Sequence, residues 1–457
     1  MQDIYFIAIG GVGQSALAKI LIKMGYNVSG SDLNESKYTK LIEKLGAKVY
    51  IGQNADNIKG NPIVVISSAI KNDNPELIKA KELNLKIMHR SDCLKFISEH
   101  YDNFIGLSGT HGKTTTSGMI SFIMEKMGVN PAYAVGGILP ELNINANACK
   151  NSKYFIAELD ESDGTIQKYA PKYLLINNLE EDHLDYYKNG LADIIQTFKN
   201  LVFNMKDNSY IFANTDNFGV RTLLEEIKGK KVISYGLNSN ANYMAKNIKY
   251  KDLNSEFEIY KNGKLLGKIN LIIPGVHNIY NTVGVVAILD TLGFKFKDYA
   301  KYFSEFSGMG RRFQILPNSK EIKIIDDYAH HPTEIKSTLS SLNYVDKRKV
   351  VIFQPHRYTR LQGLWQEFLD CFENIDKLFV LDVFSAGDLK INGINSKKFV
   401  EDFKKKYLKP EAEYVEGTIT EAANKIAPKL KKDDIVLTLG AGDITKIGGM
   451  LNDLLTK

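Results

Sequence analysis

The chain alternates short apolar runs with longer stretches in which apolar residues recur at helical spacing. This alternation is typical of a mostly parallel sheet with helices on its faces, so we expect an α/β fold. At 457 residues the chain is longer than a single hydrophobic core usually supports. The pattern divides into three blocks, which we place at residues 1–100, 101–307 and 308–457.

The three blocks are expected to be a Rossmann-like domain, a P-loop ATPase domain and a second Rossmann-like domain. The middle block should contain a mostly parallel sheet and a small β-ribbon between Asn242 and Ile273, in which Asn262-Gly263 predicts a type I′ turn. Strands are predicted at Ile4–Ile9, Ile63–Ile66, near Ile87, and at Asn103–Leu107, Tyr154–Ala157, Tyr173–Ile176, Ile322–Asp326, Val350–Phe353, Lys377–Leu381 and Ile435–Leu439. Helices are predicted at Ser15–Met24, Thr114–Met127 and Asn278–Leu292.

Composition and charge exclude several classes of protein. Charged residues make up 25% of the chain and hydrophobic residues 44%, which describes neither a disordered nor a fibrous chain. The net charge is only +6, so we expect no nucleic-acid and no membrane partner. The three cysteines lie far apart, which favours neither disulfides nor zinc, and the N-terminus lacks the basic segment of a signal peptide. A cytoplasmic location is therefore expected.

A glycine and lysine loop between a predicted strand and a predicted helix is the strongest single motif. Glycines let backbone N–H groups turn toward a phosphate, Lys113 neutralises a terminal phosphate, and Thr114 can offer its hydroxyl to Mg²⁺. The strict P-loop spacing would place its first glycine at Leu107. A purely structural turn is the alternative, but it explains neither the lysine nor the threonines. The loop comprises Gly109, Thr110, His111, Gly112, Lys113, Thr114 and Thr115.

A second glycine loop opens the chain. Gly11, Gly13 and Ala16, followed by Asp32 after the second predicted strand, meet the dinucleotide fingerprint, which read alone indicates NAD. A glycine turn at a helix N-terminus suits any pyrophosphate, however, and an acid at the second strand suits any ribose or neighbouring hydroxyl. A purely structural turn also remains open.

Acidic motifs follow two predicted strands of the middle block. Asp160-Glu-Ser-Asp163 follows the strand at Tyr154–Ala157, and Asn178-Leu-Glu-Glu-Asp-His183 follows the strand that ends at Ile176. Open α/β sheets bind ligands at the carboxyl ends of their strands. Carboxylates there can hold Mg²⁺ against ATP phosphates, and a neutral His183 can ligate a metal. An acidic solvated loop is the alternative.

Histidine and arginine motifs cluster in the last third of the chain. Asp326-Asp-Tyr-Ala-His-His-Pro-Thr-Glu334 follows one predicted strand, and Gln354-Pro-His-Arg-Tyr-Thr-Arg360 follows the next. Arg357 and Arg360 are three residues apart and could share one carboxylate, whereas a surface charge cluster would need no ligand. Arg311-Arg312 near the predicted domain junction suits either bidentate phosphate contacts or an interdomain salt bridge.

Taken in order along nearly the whole chain, these motifs resemble those of the Mur ligases of peptidoglycan synthesis. Further matching stretches are Ser67-Ser-Ala-Ile70, His277-Asn-Ile-Tyr-Asn281 and Gly310-Arg-Arg-Phe313. The resemblance implies an ATP-dependent ligase that joins L-alanine to the lactyl carboxylate of UDP-N-acetylmuramate through an acyl phosphate, with Mg²⁺ at two sites. The first domain would hold the UDP-sugar, the second ATP and Mg²⁺, and the third the amino acid.

The resemblance also implies residue roles. Lys113, Glu161, His183 and Arg312 would be catalytic, and Thr114, Glu161 and His183 would ligate metal. ATP would contact the Gly109 to Thr115 loop together with His277, Asn281, Arg312 and Asp327. The UDP-sugar would contact Gly11, Gly13, Asp32, Ser67, Ser68, His89 and Arg90. The amino acid would contact His331, His356, Arg357 and Arg360.

Three alternatives remain. The nearest is a recycling ligase that adds a tripeptide to the same sugar nucleotide. The resemblance implies that such a ligase lacks the Gln354 to Arg360 motif, which this chain has. An NAD-dependent dehydrogenase explains the first glycine loop but leaves the P-loop unused, and NADH oxidation would favour it. A nucleotide-dependent switch explains the P-loop but not the third block of motifs, and nucleotide binding without turnover would favour it.

Overall fold

A computed structural model describes residues 2–142, 144–149, 151–184, 186–238, 240–316 and 322–456. Its strands form three sheets of five, ten and six strands, in agreement with the predicted α/β architecture of three domains. The chain forms two compact units. The first unit comprises Met1–Asn247, Phe257–Ile269 and His277–Phe306, and the second comprises Ile248–Glu256, Asn270–Val276 and Ser307–Lys457.

The first sheet is entirely parallel, with the order β3-β2-β1-β4-β5 of a Rossmann-like half. The order reverses between β1 and β4, which is where open α/β sheets bind ligands. Its strands are β1 (Asp3–Ile7), β2 (Asn27–Asp32), β3 (Lys48–Ile51), β4 (Ile63–Ile66) and β5 (Ile87–His89). Its helices are α1 (Val12–Met24), α2 (Lys37–Lys44), α3 (Pro75–Glu82) and α4 (Arg90–Ser98).

The second sheet has a parallel centre, in which β10, β6, β9 and β7 are neighbours in that order. Its strands are β6 (Asn103–Ser108), β7 (Ala132–Leu139), β8 (Ile144–Asn147), β9 (Tyr154–Glu158), β10 (Tyr173–Ile176), β11 (Tyr210–Asn214), β12 (Lys231–Gly236), β13 (Tyr243–Lys251), β14 (Asn254–Lys261) and β15 (Lys264–Leu271). Its helices are α5 (Lys113–Lys126), α6 (Leu191–Asn204), α7 (Phe218–Glu226), α8 (Val276–Thr291) and α9 (Phe296–Tyr299).

The predicted β-ribbon is formed by β13, β14 and β15. Asn262 and Gly263 join the last two strands, and both have positive φ angles, 47° and 77°. A type I′ turn needs positive φ at both central residues, and this pair supplies it at low steric cost. The predicted hairpin is therefore confirmed.

The third sheet, in the second unit, has the order β16-β17-β21-β18-β19-β20, and all its pairings are parallel except that of β16 with β17. Its strands are β16 (Gln314–Ile315), β17 (Lys323–Asp327), β18 (Lys349–Phe353), β19 (Lys377–Leu381), β20 (Glu411–Val415) and β21 (Ile435–Leu439). Its helices are α10 (Pro332–Ser340), α11 (Tyr358–Gly363), α12 (Trp365–Leu369), α13 (Ser396–Lys406), α14 (Ile419–Ile426) and α15 (Ile447–Leu455).

The predicted strands are present, and several match to the residue: β4, β10, β19 and β21. The largest difference is at β1, which ends at Ile7 rather than Ile9 because Ala8 has a φ of 64° and the glycine turn begins there. Among the helices whose residues the structure describes, none is both long and apolar enough to span a bilayer.

A fully buried carboxylate packs against the first sheet. Glu76, in the first turn of α3, has no exposed surface. Its oxygens accept hydrogen bonds from Tyr5 Oη (2.9 Å), Asn57 Nδ2 (2.8 Å), the backbone N–H of Asn54 (3.2 Å) and the Ser31 hydroxyl. These donors come from β1, β2 and the segment after β3. One side chain therefore joins two strands and a loop across the face of the sheet.

We expect Glu76→Ala to lower the free energy of unfolding of the first domain by about 2–4 kcal/mol, because several buried donors lose their acceptor. Glu76→Gln should lose less, since one acceptor oxygen remains. Thermal melting of the full chain measures the effect. Glu82→Ala, in the same helix but at an exposed position, is the control, and an equal shift in both variants would contradict the assignment.

Candidate active site

The glycine and lysine loop lies between β6 and α5, where it was predicted. Gly112 has a φ of 84°, in the left-handed region that favours glycine. A Cβ atom at Gly112 would lie 2.7 Å from Asn177 Nδ2 and 2.8 Å from Asn281 Oδ1. The loop can therefore pack against the end of β10 and against α8 only because it carries no side chain there.

Two asparagines after β10 hold this loop in place. The backbone N–H of His111 donates to Asn178 Oδ1 at 2.7 Å, and Asn177 Nδ2 donates to the Thr116 hydroxyl at 3.0 Å. Thr110 accepts from the backbone N–H of Glu180 at 2.9 Å. Neither asparagine was predicted as a site residue. Their position directly after a parallel strand next to the loop strand is the signal that could have identified them.

Lys113 forms a buried ion pair. Its ammonium donates to both carboxylate oxygens of Glu161, at 2.9 and 2.8 Å, and to the carbonyls of Gly109 (2.7 Å) and Thr110 (3.1 Å). Burial alone would lower the pKa of Lys113, but the Glu161 and Asp160 carboxylates raise it above its usual value. The lysine is therefore charged and held at the glycine and lysine loop.

Together with Glu158, the three predicted metal ligands form two pairs. The Thr114 hydroxyl donates to Glu158 Oε2 at 2.9 Å, and the backbone N–H of Gly136 donates to the same oxygen at 3.0 Å. His183 Nε2 lies 4.0 Å from Glu161 Oε1. Glu158 was missed in the sequence because it is the last residue of β9, ahead of the acidic motif.

The oxygen atoms of Thr114, Glu158 and Glu161 suit a magnesium ion whose remaining ligands come from the substrate and from water. Within the described part of the chain, no three His, Cys, Asp or Glu side chains form a ready metal cage. Mg²⁺ usually binds one or two carboxylates together with phosphate oxygens and water, so a complete protein cage is not required. The hydroxyl of Thr114 and the carboxylates of Glu158 and Glu161 supply the hard oxygen donors that this ion prefers.

His277 and Asn281 lie on α8 beside the loop, as predicted for the ATP site. Burial, reinforced by the nearby His111, lowers the pKa of His277 to about 4. His277 is therefore neutral at pH 7. Asn281 Nδ2 donates to Asn278 Oδ1 at 3.2 Å, which leaves its oxygen facing Gly112. The structure thus brings both predicted residues to the phosphate-binding loop.

The first glycine loop lies between β1 and α1, next to the first turn of α4. Gly13, in the first turn of α1, lies against Arg90, whose Cδ would be 3.3 Å from a Cβ at Gly13. Asp32 accepts from the backbone N–H of Gly10 at 2.9 Å, so it supports the turn itself. Ser68 Oγ lies 3.3 Å from His89 Nε2. Ser67 accepts a backbone hydrogen bond from Ile70, which closes a turn after β4.

The first and second sheets meet near this loop, within the same compact unit. Lys168 forms an ion pair with Asp92 at 2.7 Å. Burial lowers the pKa of His89, and the nearby Asp163 carboxylate opposes that shift. The far end of the acidic motif therefore faces the predicted UDP-sugar residues, while Glu161 in the same motif faces Lys113.

The predicted amino-acid residues of the second unit are only partly brought together. Arg360 Nη1 lies 3.0 Å from His356 Nδ1, and Arg357, with a φ of 70°, is the N-cap of α11. His331 instead caps α10, where its Nδ1 accepts from the backbone N–H of Thr333 at 3.4 Å. Its neighbour His330 packs against His356, with ring centroids 5.5 Å apart.

Asp327 and Arg312, predicted for ATP, also lie in the second unit. Asp327 accepts from the backbone N–H groups of Phe313 and Ala329, both at 2.7 Å. Burial raises the pKa of Asp327 to about 6, although Arg312 opposes the shift. Arg312 lies over the Tyr328 ring, and its Nη1 is 3.7 Å from Glu334 Oε1. Asp327 therefore fixes the turn that carries the arginine.

Known proteins match the chain from end to end. Three family models cover it: "Mur ligase family, catalytic domain" at residues 3–102, "Mur ligase middle domain" at 107–289 and "Mur ligase, glutamate ligase domain" at 311–442. The UDP-N-acetylmuramate–L-alanine ligase of Dictyoglomus turgidum is 41% identical over 98% of this chain and 96% of its own length. That of Aquifex aeolicus is 36% identical, over the same shares of the two chains.

Solved structures agree with these matches. The UDP-N-acetylmuramate–alanine ligase of Thermotoga maritima superposes with a TM-score of 0.84, at 28% identity over 99% of both chains. A murein peptide ligase from Psychrobacter arcticus superposes with a TM-score of 0.70, at 19% identity over 100% of this chain and 99% of that one. The latter similarity concerns the fold alone.

We expect Gly112→Ala to weaken ATP binding at least about tenfold, because the new methyl group would collide with Asn177 and Asn281 and displace the loop. Titration calorimetry with ATP measures this. Gly128→Ala is a matched control, since Gly128 has a φ of 75° but no atom within 4 Å of an added Cβ. It should share the backbone strain and keep normal affinity, and equal losses in both variants would contradict a packing role for Gly112.

Proposed function

This chain belongs to the Mur ligase family, and we propose that it is an ATP-dependent ligase that joins L-alanine to the lactyl carboxylate of UDP-N-acetylmuramate in peptidoglycan precursor synthesis. The observation that carries the proposal is the match along 98% of the chain to curated L-alanine ligases, at 41% identity in one case. The P-loop, with its charged Lys113, supports the use of ATP.

The chemistry requires activation of the acceptor. A carboxylate is a poor electrophile, so ATP first phosphorylates the lactyl carboxylate and turns one of its oxygens into a leaving group. The amine of L-alanine then attacks the acyl phosphate. The tetrahedral intermediate collapses to an amide and phosphate, and fixed positive charges and N–H donors stabilise its negative charge.

Lys113 and the backbone N–H groups of its loop bind the terminal phosphates of ATP. In the structure the lysine ammonium is held at this loop by Glu161 and by the carbonyls of Gly109 and Thr110. His277 and Asn281 contact the adenine side, and Arg312 contacts the phosphates. Thr110 and Thr115 complete the loop.

Magnesium fits beside this loop, where Thr114 and Glu161 would hold one ion together with Glu158, and His183 would hold a second. When bound, Mg²⁺ would neutralise phosphate charge during transfer. The hydrogen bond from Thr114 to Glu158 leaves the lone pairs of the hydroxyl oxygen available to a cation. A carboxylate partner of this kind also fixes the orientation of a ligating group.

The substrates occupy different strand ends. UDP-N-acetylmuramate binds at the first sheet, where Gly11, Gly13 and Arg90 face its pyrophosphate and Ser68 and His89 line the neighbouring strand ends. The alanine carboxylate binds Arg357 and Arg360 beside His356. We propose residues 1–100, 101–307 and 308–457 as the corresponding domains, a location in the cytoplasm, and no nucleic-acid or membrane partner.

The proposal is tested by measuring phosphate release from ATP while each substrate is omitted in turn. Turnover should require UDP-N-acetylmuramate and L-alanine together. Release that depends on the sugar nucleotide and a tripeptide, but not on L-alanine, would favour the recycling ligase. Nucleotide binding without release under any combination would favour a nucleotide-dependent switch.

We expect Lys113→Ala to reduce turnover at least about 10²-fold, the usual scale for loss of one fixed charge-stabilising group. Binding of UDP-N-acetylmuramate should change by less than about twofold, because that ligand is assigned to the first sheet. Phosphate release and calorimetry measure the two quantities. Lys126→Ala, at the other end of α5 and exposed, is the control. Near-normal release by Lys113→Ala would reject the P-loop assignment.

Arg360→Ala and Arg357→Ala should raise the KM for L-alanine while the acyl phosphate still forms, because their partner enters only in the second step. Hydroxylamine traps the acyl phosphate as a hydroxamate in the absence of L-alanine, which separates the steps. If trapping falls as far as ligation does, these arginines act on ATP or on the sugar nucleotide instead.

A further inference from the structure

The ring of Phe384, in the loop after β19, stacks on the imidazole of His356. The ring centroids are 5.6 Å apart and the planes differ by 13°. Phe384 is partly exposed and does not belong to the buried core of its domain. An aromatic side chain outside the core contributes little to the core, and the aromatic contact of Phe384 is with a predicted site residue.

The backbone joins the same two residues. Phe384 and His356 form a parallel β-bridge, the N–H of Phe384 donates to the carbonyl of Pro355 at 2.9 Å, and the N–H of Arg357 donates to the carbonyl of Phe384 at 2.8 Å. Arg357 has a φ of 70°, a conformation that costs an L-residue energy and persists only where its surroundings hold it. The Phe384 segment supplies that support.

A glycine also lies against the Phe384 side chain. A Cβ atom at Gly442 would lie 2.6 Å from Phe384 Cγ and 2.6 Å from Gln354 Oε1. Gln354 is itself fixed, since its Oε1 accepts from the backbone N–H of Ile444 at 3.1 Å and its Nε2 donates to Asp443 at 2.8 Å. Phe384 is therefore close both to His356 and to the loop after β21.

The stacked histidine in turn orients an arginine. A guanidinium can only donate, so His356 Nδ1 accepts from Arg360 Nη1 at 3.0 Å, and the imidazole proton is on Nε2. Burial and the neighbouring His330, Arg360 and Arg357 lower the pKa of His356 to about 4, which keeps Nδ1 available as an acceptor at pH 7. A rotated imidazole would lose this hydrogen bond.

We infer that Phe384 is a positioning residue for the amino acid: it fixes the His356 ring and, through it, the guanidinium of Arg360 that receives the carboxylate. This inference rests on the proposed function, because it takes L-alanine as the ligand of Arg360. It assigns Phe384 no contact with substrate. Its effect is confined to the second chemical step.

The test is steady-state kinetics of phosphate release with Phe384→Leu, Phe384→Ala and Phe384→Tyr. The KM for L-alanine should rise about 3- to 10-fold in the leucine and alanine variants, the range expected for loss of one aromatic pair. The KM values for ATP and UDP-N-acetylmuramate should stay within about twofold of wild type. Phe384→Tyr keeps the aromatic face and should restore a near-normal KM for L-alanine.

A second variant separates positioning from stability. Phe368→Leu removes an aromatic ring from the core of the same domain, where Phe368 packs on Phe353, so it should lower the melting temperature and leave the KM for L-alanine unchanged. The inference is overturned if Phe368→Leu raises that KM equally, if all three KM values rise together, or if Phe384→Leu leaves them unchanged. Wild-type enzyme without alanine-dependent release would instead reject the proposed function, and this inference with it.

Discussion

The buried ion pair between Lys113 and Glu161 constrains the order of the strands around it and the loops that follow them. A buried ammonium needs a counter-charge and hydrogen-bond acceptors, and here the carboxylate and two loop carbonyls provide them. Three adjacent parallel strands bring these groups together, because β6 leads into the lysine loop, β9 leads into Glu161, and β10 leads into the asparagines that hold the loop. Any change in strand order would separate them.

The sequence predicts the strands and the loop chemistry well, because both depend on local patterns. Continuous apolar runs predicted the bounds of β10 and β21 correctly, and a glycine before a lysine at a helix start predicted a phosphate site. Local patterns could not show which of Glu158 and Glu161 contacts Thr114. Which carboxylate reaches Thr114 depends on the pairing of Leu107 with Glu158 between β6 and β9, which no local pattern reveals.

Adjacent histidines posed the same difficulty in the second unit. The sequence assigned His331 to the amino acid, but the backbone begins α10 after it, so His331 caps the helix and His330 lies beside His356. The assignment of His331 stays a prediction. Phe384 carried no polar group and no motif, and its relation to His356 arises only from the pairing of two segments after neighbouring strands.

Burial lowers the pKa of two histidines and raises the pKa of an aspartate, and the two kinds of shift make stability depend on pH in opposite ways. His277 and His356 have pKa values near 4, below the value of 6.5 for an exposed histidine, so the stability they contribute is complete above about pH 6.5 and lost as the pH falls toward 4. Asp327 has its pKa raised from 3.8 to about 6, so its contribution is complete below pH 3.8 and lost as the pH rises through 6. At neutral pH the two histidines are thus in the neutral form that the folded state favours, whereas Asp327 is not in the protonated form that the folded state favours. Asp327 therefore stays ionised at neutral pH at a cost in stability, which Arg312 and the backbone N–H groups of Phe313 and Ala329 only partly offset.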